Sequence, residues 1–478
     1  MSGLRVSPDR DVATTIRTRS GSWLARRLGN RFGGLIERHP AASFVLVALL
    51  VSLPLLLNPG YFSHDELQWL AFADRDHWGE LPWQDWFDFS PFQYRPLTFN
   101  SWLLFSKLFG YQPLVMHGVV VTLGLLNAWL LRACLIGTGV RVKIASGAAL
   151  LFLLTPSAMQ VHGWVGTLGD LYCLLAALIA MRVLQRDAGR VIEVLVVAAL
   201  TIVALWSKES ALVFPALLLA AWPQRRWSLA LPITISAMLV LGYLALRWQT
   251  ILYSPRSDNH YAWSLAYVPA RLLDYAAFPF LPDLAEAHVI RLSRSALRWI
   301  VGLGLCASLL TLVARVSWRV ALFLVVGCIV CLGPTLLLDK AASVYAYLAT
   351  AWTAAICGWS YARLGLWPRR LMLGLAAVVA LHGALIGARI VQIGMMQRGS
   401  YAAIETLLPM ATEAAPIRLA PVHRRDYWAL QRLFHQVPSW RRVALGERVM
   451  VVAVDEPATL VIDSDGTARM PPPRETSR

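Results

Sequence analysis

The residues best suited to chemistry follow directly after the first long apolar run. His64, Asp65 and Glu66 stand side by side in the stretch YFSHDELQW. Carboxylates are costly to desolvate at a membrane edge, so one kept there usually has a partner or a function. A carboxylate in that position can act as the general base for a hydroxyl group. We expect Asp65 and Glu66 to be catalytic, with His64 touching substrate; the alternative is the solvated start of a loop.

A second acidic position opens a later apolar run. Asp170 lies in TPSAMQVHGWVGTLGDLYCLL. A lone Asp at this point commonly caps a helix, because anions are favoured at helix N-termini. On the same face as Asp65, however, it would form the other half of a catalytic carboxylate site. A divalent cation (Mg or Mn) bridging the two is left open, since hard cations bind carboxylate oxygens but want more ligands than these.

Arg95, in the stretch YRPL, is the first candidate for binding a phosphate. A guanidinium group can hold a phosphate through two parallel hydrogen bonds. The structural alternative is an ion pair with Asp85, Asp88 or Glu66. The spacing of the residues does not choose between these two roles.

Lys208 and Glu209 form a second charged site, in WSKESALVFP between two short apolar runs. They could satisfy each other, or Lys208 could meet an anionic lipid headgroup while Glu209 contacts substrate. The long segment 247–297 adds basic residues, one or two of which would suit a phosphate: Arg256, His260, Arg271, Arg291 and Arg294.

The composition places these residues in a membrane protein. Of 478 residues, 57% are hydrophobic and 15% charged, and the mean hydropathy is +0.54. A soluble domain averages about 45–50% apolar and about 25% charged residues. Several apolar runs reach about 17–20 residues, enough for a helix to span about 30 Å of hydrocarbon. The sequence therefore predicts an all-α polytopic membrane protein.

The apolar runs predict about eleven transmembrane helices. The expected spans are 41–58, 113–136, 144–158, 168–185, 190–206, 209–223, 229–246, 298–315, 319–337, 342–362 and 371–389. The chain is thus expected to contain a basic N-terminal segment (1–40), a multi-span domain (41–389) and a C-terminal tail (390–478).

The charges beside the spans predict the orientation. Arginine and lysine concentrate in alternate short loops, whereas the other short loops hold little beyond Lys208 and Lys340. Because positive residues stay on the cytoplasmic side, the N-terminus is expected inside and the tail outside. Basic residues near spans also attract anionic lipid, which explains the net charge of +16 without a nucleic-acid partner.

The C-terminal tail carries a β-type pattern. The stretch VMVVAVDEPATLVIDSDGTARM contains two β-type runs around a turn, which predicts a small hairpin. The rest is rich in arginine, which would suit an anionic envelope glycolipid. The pattern leaves open whether the tail recognises an acceptor or only packs over the site.

In chain order, the motifs resemble those of a known family. They are an acidic pair after the first span, YRPL, GYQPLVMH, TP…GD and W-x-K-E-x-x…P, all within residues 45–365. This succession resembles the membrane-embedded glycosyltransferases of the GT-C type, especially the protein O-mannosyltransferase-like branch and its bacterial relatives. The resemblance implies inverting transfer of a hexosyl or pentosyl group from a polyprenyl-phosphate carrier at the outer face of the bacterial inner membrane. The acceptor could be a protein, a lipid or a polysaccharide.

The resemblance also implies roles for individual residues. Asp65 matches the family's first-loop acid, a catalytic base or metal ligand, and Asp170 matches the acid of its second outer loop. Arg95 and Lys208 fall where the lipid phosphate would be met. His117 and His162 fall in stretches where relatives often carry histidine, without an assigned role.

Two stretches depart from the family pattern. Relatives commonly carry G-R-x-D where this chain has GTLGD, and an R-x-L-Y-L-P-like stretch where it has SVYAYLATAW. The second stretch keeps Tyr345 and Tyr347 but lacks the arginine, for which Lys340 is the candidate substitute. Since both losses affect phosphate recognition, an inactive member of the family is one alternative.

Two other functions fit a chain with many spans. A transporter or lipid flippase would place ionisable residues near the middle of the bilayer. Here the acids lie at the edges of the spans, which favours the enzyme. The remaining alternative is a noncatalytic membrane scaffold derived from a glycosyltransferase.

Overall fold

The computed structural model describes residues 39–219, 229–253, 263–281, 289–290 and 296–471. The chain divides into two compact units, residues 1–50 and 51–478, and all predicted site residues lie in the second. The basic segment before residue 39 lies outside the described residues, as do Arg256, His260, Arg291 and Arg294.

Helices make up most of the described residues. In the first half they are α1 (Pro40–Leu56), α2 (His64–Ala73), α3 (Pro96–Phe109), α4 (Pro113–Gly137), α5 (Val142–Leu153), α6 (Pro156–Gly163), α7 (Leu168–Arg186) and α8 (Arg190–Ser207). In the second half they are α9 (Phe214–Leu218), α10 (Ala230–Tyr253), α11 (Val268–Ala277), α12 (Ala296–Ala314), α13 (Trp318–Leu332), α14 (Tyr347–Tyr361), α15 (Leu366–Leu407) and α16 (Tyr427–Phe434).

The number of membrane-spanning helices differs from the expectation. Seven helices among the described residues are long and apolar enough to cross a membrane, or eight if the bent pair α5–α6 forms one span. The all-α, multi-pass class is therefore confirmed, whereas the count of about eleven is not. One reason is the run at 209–223, which begins as a 3₁₀ turn at Glu209–Val213 and continues as the short helix α9. Pro215, which lacks an amide hydrogen, stands at that joint.

A sharp bend separates α5 from α6. Pro156 opens α6, and the axes of the two helices differ by 63°. A side chain at Gly383 of α15 would overlap the carbonyl oxygen of Leu154, so α15 packs directly against the bend. The bend brings α6, and the turn that follows it, towards α4 and α15.

Helix α15 is longer than a helix that only spans a membrane. Its 42 residues extend about 63 Å, roughly twice the hydrocarbon thickness. The apolar pattern predicts an end near residue 389, but the helix continues to Leu407. Arg389 forms a buried ion pair with Asp426 at 2.6 Å, so its charge does not end the packed part of the helix.

The C-terminal subdomain, residues 408–471, contains a small sheet rather than the expected hairpin. The strands are β1 (Ile417–Pro421), β2 (Ser439–Trp440), β3 (Val443–Ala444), β4 (Val449–Val451), β5 (Leu460–Ile462) and β6 (Ala468–Arg469). The two runs predicted to pair with each other are β4 and β5. Both instead lie parallel to β1, in the sheet order β4-β1-β5-β6, and α16 is the crossover from β1 to β4. In this stretch the antiparallel pair forms one turn later, between β5 and β6, while β2 and β3 form a separate antiparallel pair.

Candidate functional site

Helix α2 begins with a capping box that fixes the first candidate residues. The Oγ atom of Ser63 accepts a hydrogen bond from the Asp65 amide at 3.5 Å, and Glu66 Oε2 accepts one from the Ser63 amide at 2.8 Å. The pattern S-x-x-E ahead of an apolar run is the sequence signature of this arrangement. The capping box therefore sets the direction in which His64 and Asp65 leave the loop.

Glu66 accepts hydrogen bonds from the backbone of two separate loops. It is buried, and its Oε2 atom also accepts a hydrogen bond from the Phe62 amide at 2.8 Å. Its Oε1 atom accepts one at 2.7 Å from the amide of Val165, which lies 99 residues away in the turn before α7. Burial raises the pKa of Glu66 from its usual 4.5 to about 8, although the backbone hydrogen bonds act in the opposite direction. This geometry supports a positioning role for Glu66 rather than the catalytic role suggested by the sequence.

The raised pKa of Glu66 makes stability depend on pH. Because the folded chain binds this proton more tightly than the unfolded chain, the contribution of Glu66 to stability falls as the pH rises from about 5 to 8, by up to about 1.4 kcal/mol per pH unit. The lowered pKa of His64 contributes in the opposite direction below about pH 6.5, so the Glu66 contribution is measured as a difference between two proteins that both keep His64. Glu66→Gln cannot titrate, so wild type should lose stability relative to this variant as the pH rises from 5 to 8, even if the unfolding temperature of the variant is lower throughout. Thermal unfolding of both proteins in detergent at pH 5, 6.5 and 8 measures the two slopes. Parallel slopes would contradict the assignment.

Asp65 keeps more exposed surface than Glu66 or Asp170. Its side chain is 34% exposed, and Oδ1 lies 3.0 Å from His64 Nε2. Burial lowers the pKa of His64 to about 4 despite the attraction of Asp65, so the imidazole is neutral near pH 7. A neutral ring that donates its Nε2–H to Asp65 orients the carboxylate without neutralising its charge. Asp65 is thus an accessible carboxylate that His64 holds in one orientation.

Asp170 and Lys208 form a buried ion pair. The Nζ atom of Lys208 lies 2.7 and 2.6 Å from the two carboxylate oxygens of Asp170, and 5.3 Å from the centre of the Tyr345 ring. The sequence assigns Asp170 to a carboxylate site with Asp65, and Lys208 to a lipid phosphate. The structure instead pairs Asp170 with Lys208, which lies 38 residues further along the chain. The charge of each side chain is therefore balanced by the other.

This pairing bears on the possible cation. Among the described residues, no group of three or more His, Cys, Asp or Glu side chains is placed to hold a metal ion. A cation bridging Asp65 and Asp170 would have to displace Lys208, which contacts both oxygens of Asp170. These residues therefore do not make a ready cation site.

Arg95 belongs to a second, more accessible charge cluster. Its Nε and Nη2 atoms both lie 2.8 Å from Glu209 Oε2, and the two side chains are 22% and 27% exposed. Arg247 Nη1 lies 4.0 Å from the other oxygen of Glu209. Arg247 is buried between the rings of Tyr94 and Tyr243, at 5.4 and 5.3 Å. Two guanidinium groups thus face one carboxylate.

Arg247 is a site residue that sequence reasoning missed. It stands alone at the end of a long apolar helix, where a single arginine is usually an interfacial anchor. In the structure it donates hydrogen bonds to the carbonyl oxygens of Pro91 and Phe92 and so holds the loop that leads into YRPL. An arginine shortly after an apolar run was the only available signal, and many such arginines have no role of this kind.

Direct contacts bring the separate motifs together. The hydroxyl of Thr98, just after YRPL, donates to the carbonyl oxygen of Ser207 at 2.8 Å. A side chain at Gly169, in the GD motif, would lie 2.6 Å from that oxygen, so only glycine permits this approach. Together with the bond from Val165 to Glu66, these contacts join four motifs at one end of the helices.

The two motif histidines have structural partners. His117 Nε2 lies 2.8 Å from the carbonyl oxygen of Gly60, and His162 Nε2 lies 2.9 Å from the hydroxyl of Tyr347. Tyr347 also accepts a hydrogen bond from Asn127 at 3.2 Å. Both histidines are buried and hold the helices that surround the site.

Lys340 lies on a different segment from these clusters. It is exposed, and its neighbours Leu338 and Ala342 form bridges to Trp263 and Val289. Its role as a substitute for the missing family arginine stays a prediction.

An open groove runs along α3. Its volume is about 640 Å³, and polar and apolar side chains line it. The apolar ones are Trp83, Trp86, Leu97, Leu104 and Phe105, and the polar ones are Gln84, Asp85, Asn100 and Ser101. Arg95, the residue that precedes α3, lies at the end of the helix where Leu97 enters the groove. Apolar lining beside a charged cluster suits an amphiphilic ligand.

Comparison with known proteins adds no independent assignment. No model of a known protein family matches the chain, and no curated protein is similar to it. The geometry of the site and the order of its motifs are therefore what support a function.

Proposed function

We propose that this protein transfers a sugar from a polyprenyl-phosphate carrier to an acceptor hydroxyl at the outer face of the bacterial plasma membrane. The observation that carries the proposal is Asp65, an accessible carboxylate in the first turn of α2, oriented by a neutral His64. It lies next to Glu66, whose hydrogen bond to Val165 ties α2 to the turn before Asp170 and Lys208. The motif order adds the family resemblance to this geometry.

The chemistry is a single displacement. Asp65 accepts the proton of the acceptor hydroxyl while the hydroxyl oxygen forms a bond to the anomeric carbon of the sugar. The bond between that carbon and the phosphate oxygen breaks, and the phosphate leaves on the carrier with the electron pair. Attack from the side opposite to the leaving group inverts the anomeric configuration.

The Arg95–Glu209–Arg247 cluster is the place we assign to the leaving phosphate. Arg95 is partly exposed, and a phosphate can compete with Glu209 for its guanidinium group. Arg247 is buried and keeps a second positive charge within 4.0 Å of the same glutamate. Cationic groups that stabilise developing charge on a leaving group are usually a large part of catalysis.

The groove along α3 is the place we assign to the polyprenyl chain. Its tryptophan, leucine and phenylalanine lining is chemically suited to an isoprenoid, and Arg95 lies at the start of the same helix. A single ligand with an anionic head and an apolar tail would therefore satisfy both features.

The test uses the full-length protein in nanodiscs with a panel of polyprenyl-phosphate hexoses and pentoses. Release of carrier phosphate is followed with protein, lipid and polysaccharide acceptors, each with added Mg or Mn and with EDTA. Polyprenyl phosphate without a sugar is the matched control for binding. We expect release with at least one donor and acceptor, with inversion at the anomeric carbon.

The other outcomes favour the alternatives. Carriers that bind without any release would indicate a noncatalytic binder or scaffold. If no carrier binds, the proposed function fails, and transport of lipid or solute becomes the hypothesis to test.

A further inference from the structure

The C-terminal subdomain reaches the first candidate loop directly. Gln68 of α2 donates hydrogen bonds to the carbonyl oxygens of His435 and Gln436, both at 3.2 Å. The rings of His64 and His435 lie 5.2 Å apart. The subdomain is itself attached to α15, since the Tyr401 hydroxyl donates to the carbonyl oxygen of Leu433 at 2.9 Å.

Arg432 makes the closest of these contacts to the site. It lies on α16, whose other buried residues, Ala429, Leu430 and Leu433, anchor the helix in the subdomain. The guanidinium group lies 5.3, 5.0 and 5.2 Å from the rings of Phe62, Trp164 and Trp428. These distances are within the range of favourable cation–π contact.

Arg432 also fixes Ser63, the residue that precedes the His64–Asp65 pair. Its Nε atom donates a hydrogen bond to Ser63 Oγ at 3.0 Å, and both residues are buried. A serine hydroxyl has two acceptor positions and one proton. Arg432 and the backbone amides of the first helical turn donate to this oxygen, so its lone pairs are taken. The proton is then left for Asp65 Oδ2 at 3.5 Å or His64 Nδ1 at 3.4 Å.

We propose that Arg432 is a positioning residue, through which the C-terminal subdomain holds Ser63 and thereby orients the His64–Asp65 pair. The proposal rests on the proposed function for its effect on catalysis, but not for its effect on the loop. The subdomain then forms part of the site. The C-terminal tail therefore does more than pack over it. Arg432 lies 369 residues after Ser63 in the sequence. The contact therefore forms only when the C-terminal subdomain packs against the start of α2.

The experiment compares Arg432→Gln with wild type in nanodiscs, with full-length chains throughout. Arg418→Gln is the matched control, because Arg418 is a partly exposed arginine of the same subdomain paired with Glu456. We expect Arg432→Gln to lose about 10²-fold in kcat, as for a small misplacement of a reacting group, with the KM for the donor little changed. Backbone amides of residues 61–66 should exchange hydrogen faster in Arg432→Gln and not in Arg418→Gln.

A double-mutant cycle with Ser63→Ala separates positioning from general stability. If Arg432 acts through Ser63, the losses of the two single variants in kcat will not add in the double variant. Additive losses, or unchanged kcat and exchange in Arg432→Gln, would overturn the proposal. If Arg432→Gln does not fold, Arg432→Lys replaces it. An ammonium group keeps the charge but cannot contact all three rings and Ser63 at once. In Arg432→Lys, kcat should therefore fall and hydrogen exchange should become faster, as expected for Arg432→Gln.

Failure of the proposed function would look different. Hydrogen exchange needs no turnover, so faster exchange at residues 61–66 in Arg432→Gln, with no donor cleaved by wild type, would retain the positioning role and reject the glycosyltransferase. Turnover by wild type, with hydrogen exchange and kcat unchanged in Arg432→Gln, would retain the glycosyltransferase and reject the positioning role.

Discussion

Asp65→Asn is expected to lower the turnover of a polyprenyl-phosphate sugar by about 10²–10⁴-fold, the usual contribution of a general base. Asparagine has the shape of aspartate, and its carbonyl oxygen can still accept the hydrogen bond from His64 Nε2. What it loses is the ability to take the proton of the acceptor hydroxyl. The affinity for the carrier should therefore change little, while kcat falls by that factor.

The fold should tolerate this change. Asp65 is partly exposed, and losing one negative charge in the first turn of a helix costs only about 0.3–1 kcal/mol. Asp76→Asn is the matched control, since Asp76 follows the other end of α2, where it is exposed and paired with Arg442. Turnover within about twofold of wild type in a folded Asp65→Asn variant would remove Asp65 as the base.

The sequence predicts the class of the fold better than it predicts which charged residues pair. Apolar runs of span length depend on composition alone, so the multi-pass class is accessible from them. The S-x-x-E pattern at Ser63–Glu66 also predicts a capping box, and it was available before the structure. The capping box explains why Glu66 turns inward while Asp65 stays accessible.

The charge pairs were not predictable from the pattern. Arg95 meets Glu209 across 114 residues, and Asp170 meets Lys208 across 38, because the rotation and packing of helices bring them together. A run of residue types shows that a charge lies at the edge of a span but not which opposite charge faces it. The same limit applies to α15, where Arg389 would end an apolar helix but is neutralised by Asp426 from the subdomain.

The sheet shows the limit for strands. The runs that become β4 and β5 were correctly β-type, but adjacency in sequence suggested that they pair with each other. The partner they share, β1, lies before α16 in a stretch with no strong alternation. A parallel arrangement needs a crossover, and α16 supplies it.

Breaking the Asp170–Lys208 pair is the second change with a large expected effect. Both side chains are almost fully buried, so Lys208→Met would leave the Asp170 carboxylate without its cation. Removing one partner of a buried pair typically costs about 3–5 kcal/mol. The same change at the exposed Arg418–Glu456 pair should cost about 1 kcal/mol or less. Thermal unfolding in detergent compares Lys208→Met with Arg418→Met.

The double variant Asp170→Asn/Lys208→Met decides between the two roles that Lys208 can have. Removing both charges eliminates the buried unpaired group, so stability should return towards wild type. If the pair only holds α7 against the end of α8, as its geometry indicates, turnover should return with stability. If Lys208 binds the leaving phosphate, the double variant will fold normally yet stay deficient in kcat. A double variant that stays as unstable as Lys208→Met would contradict the unpaired charge as the cause, because the cost would then come from lost packing of the lysine stem.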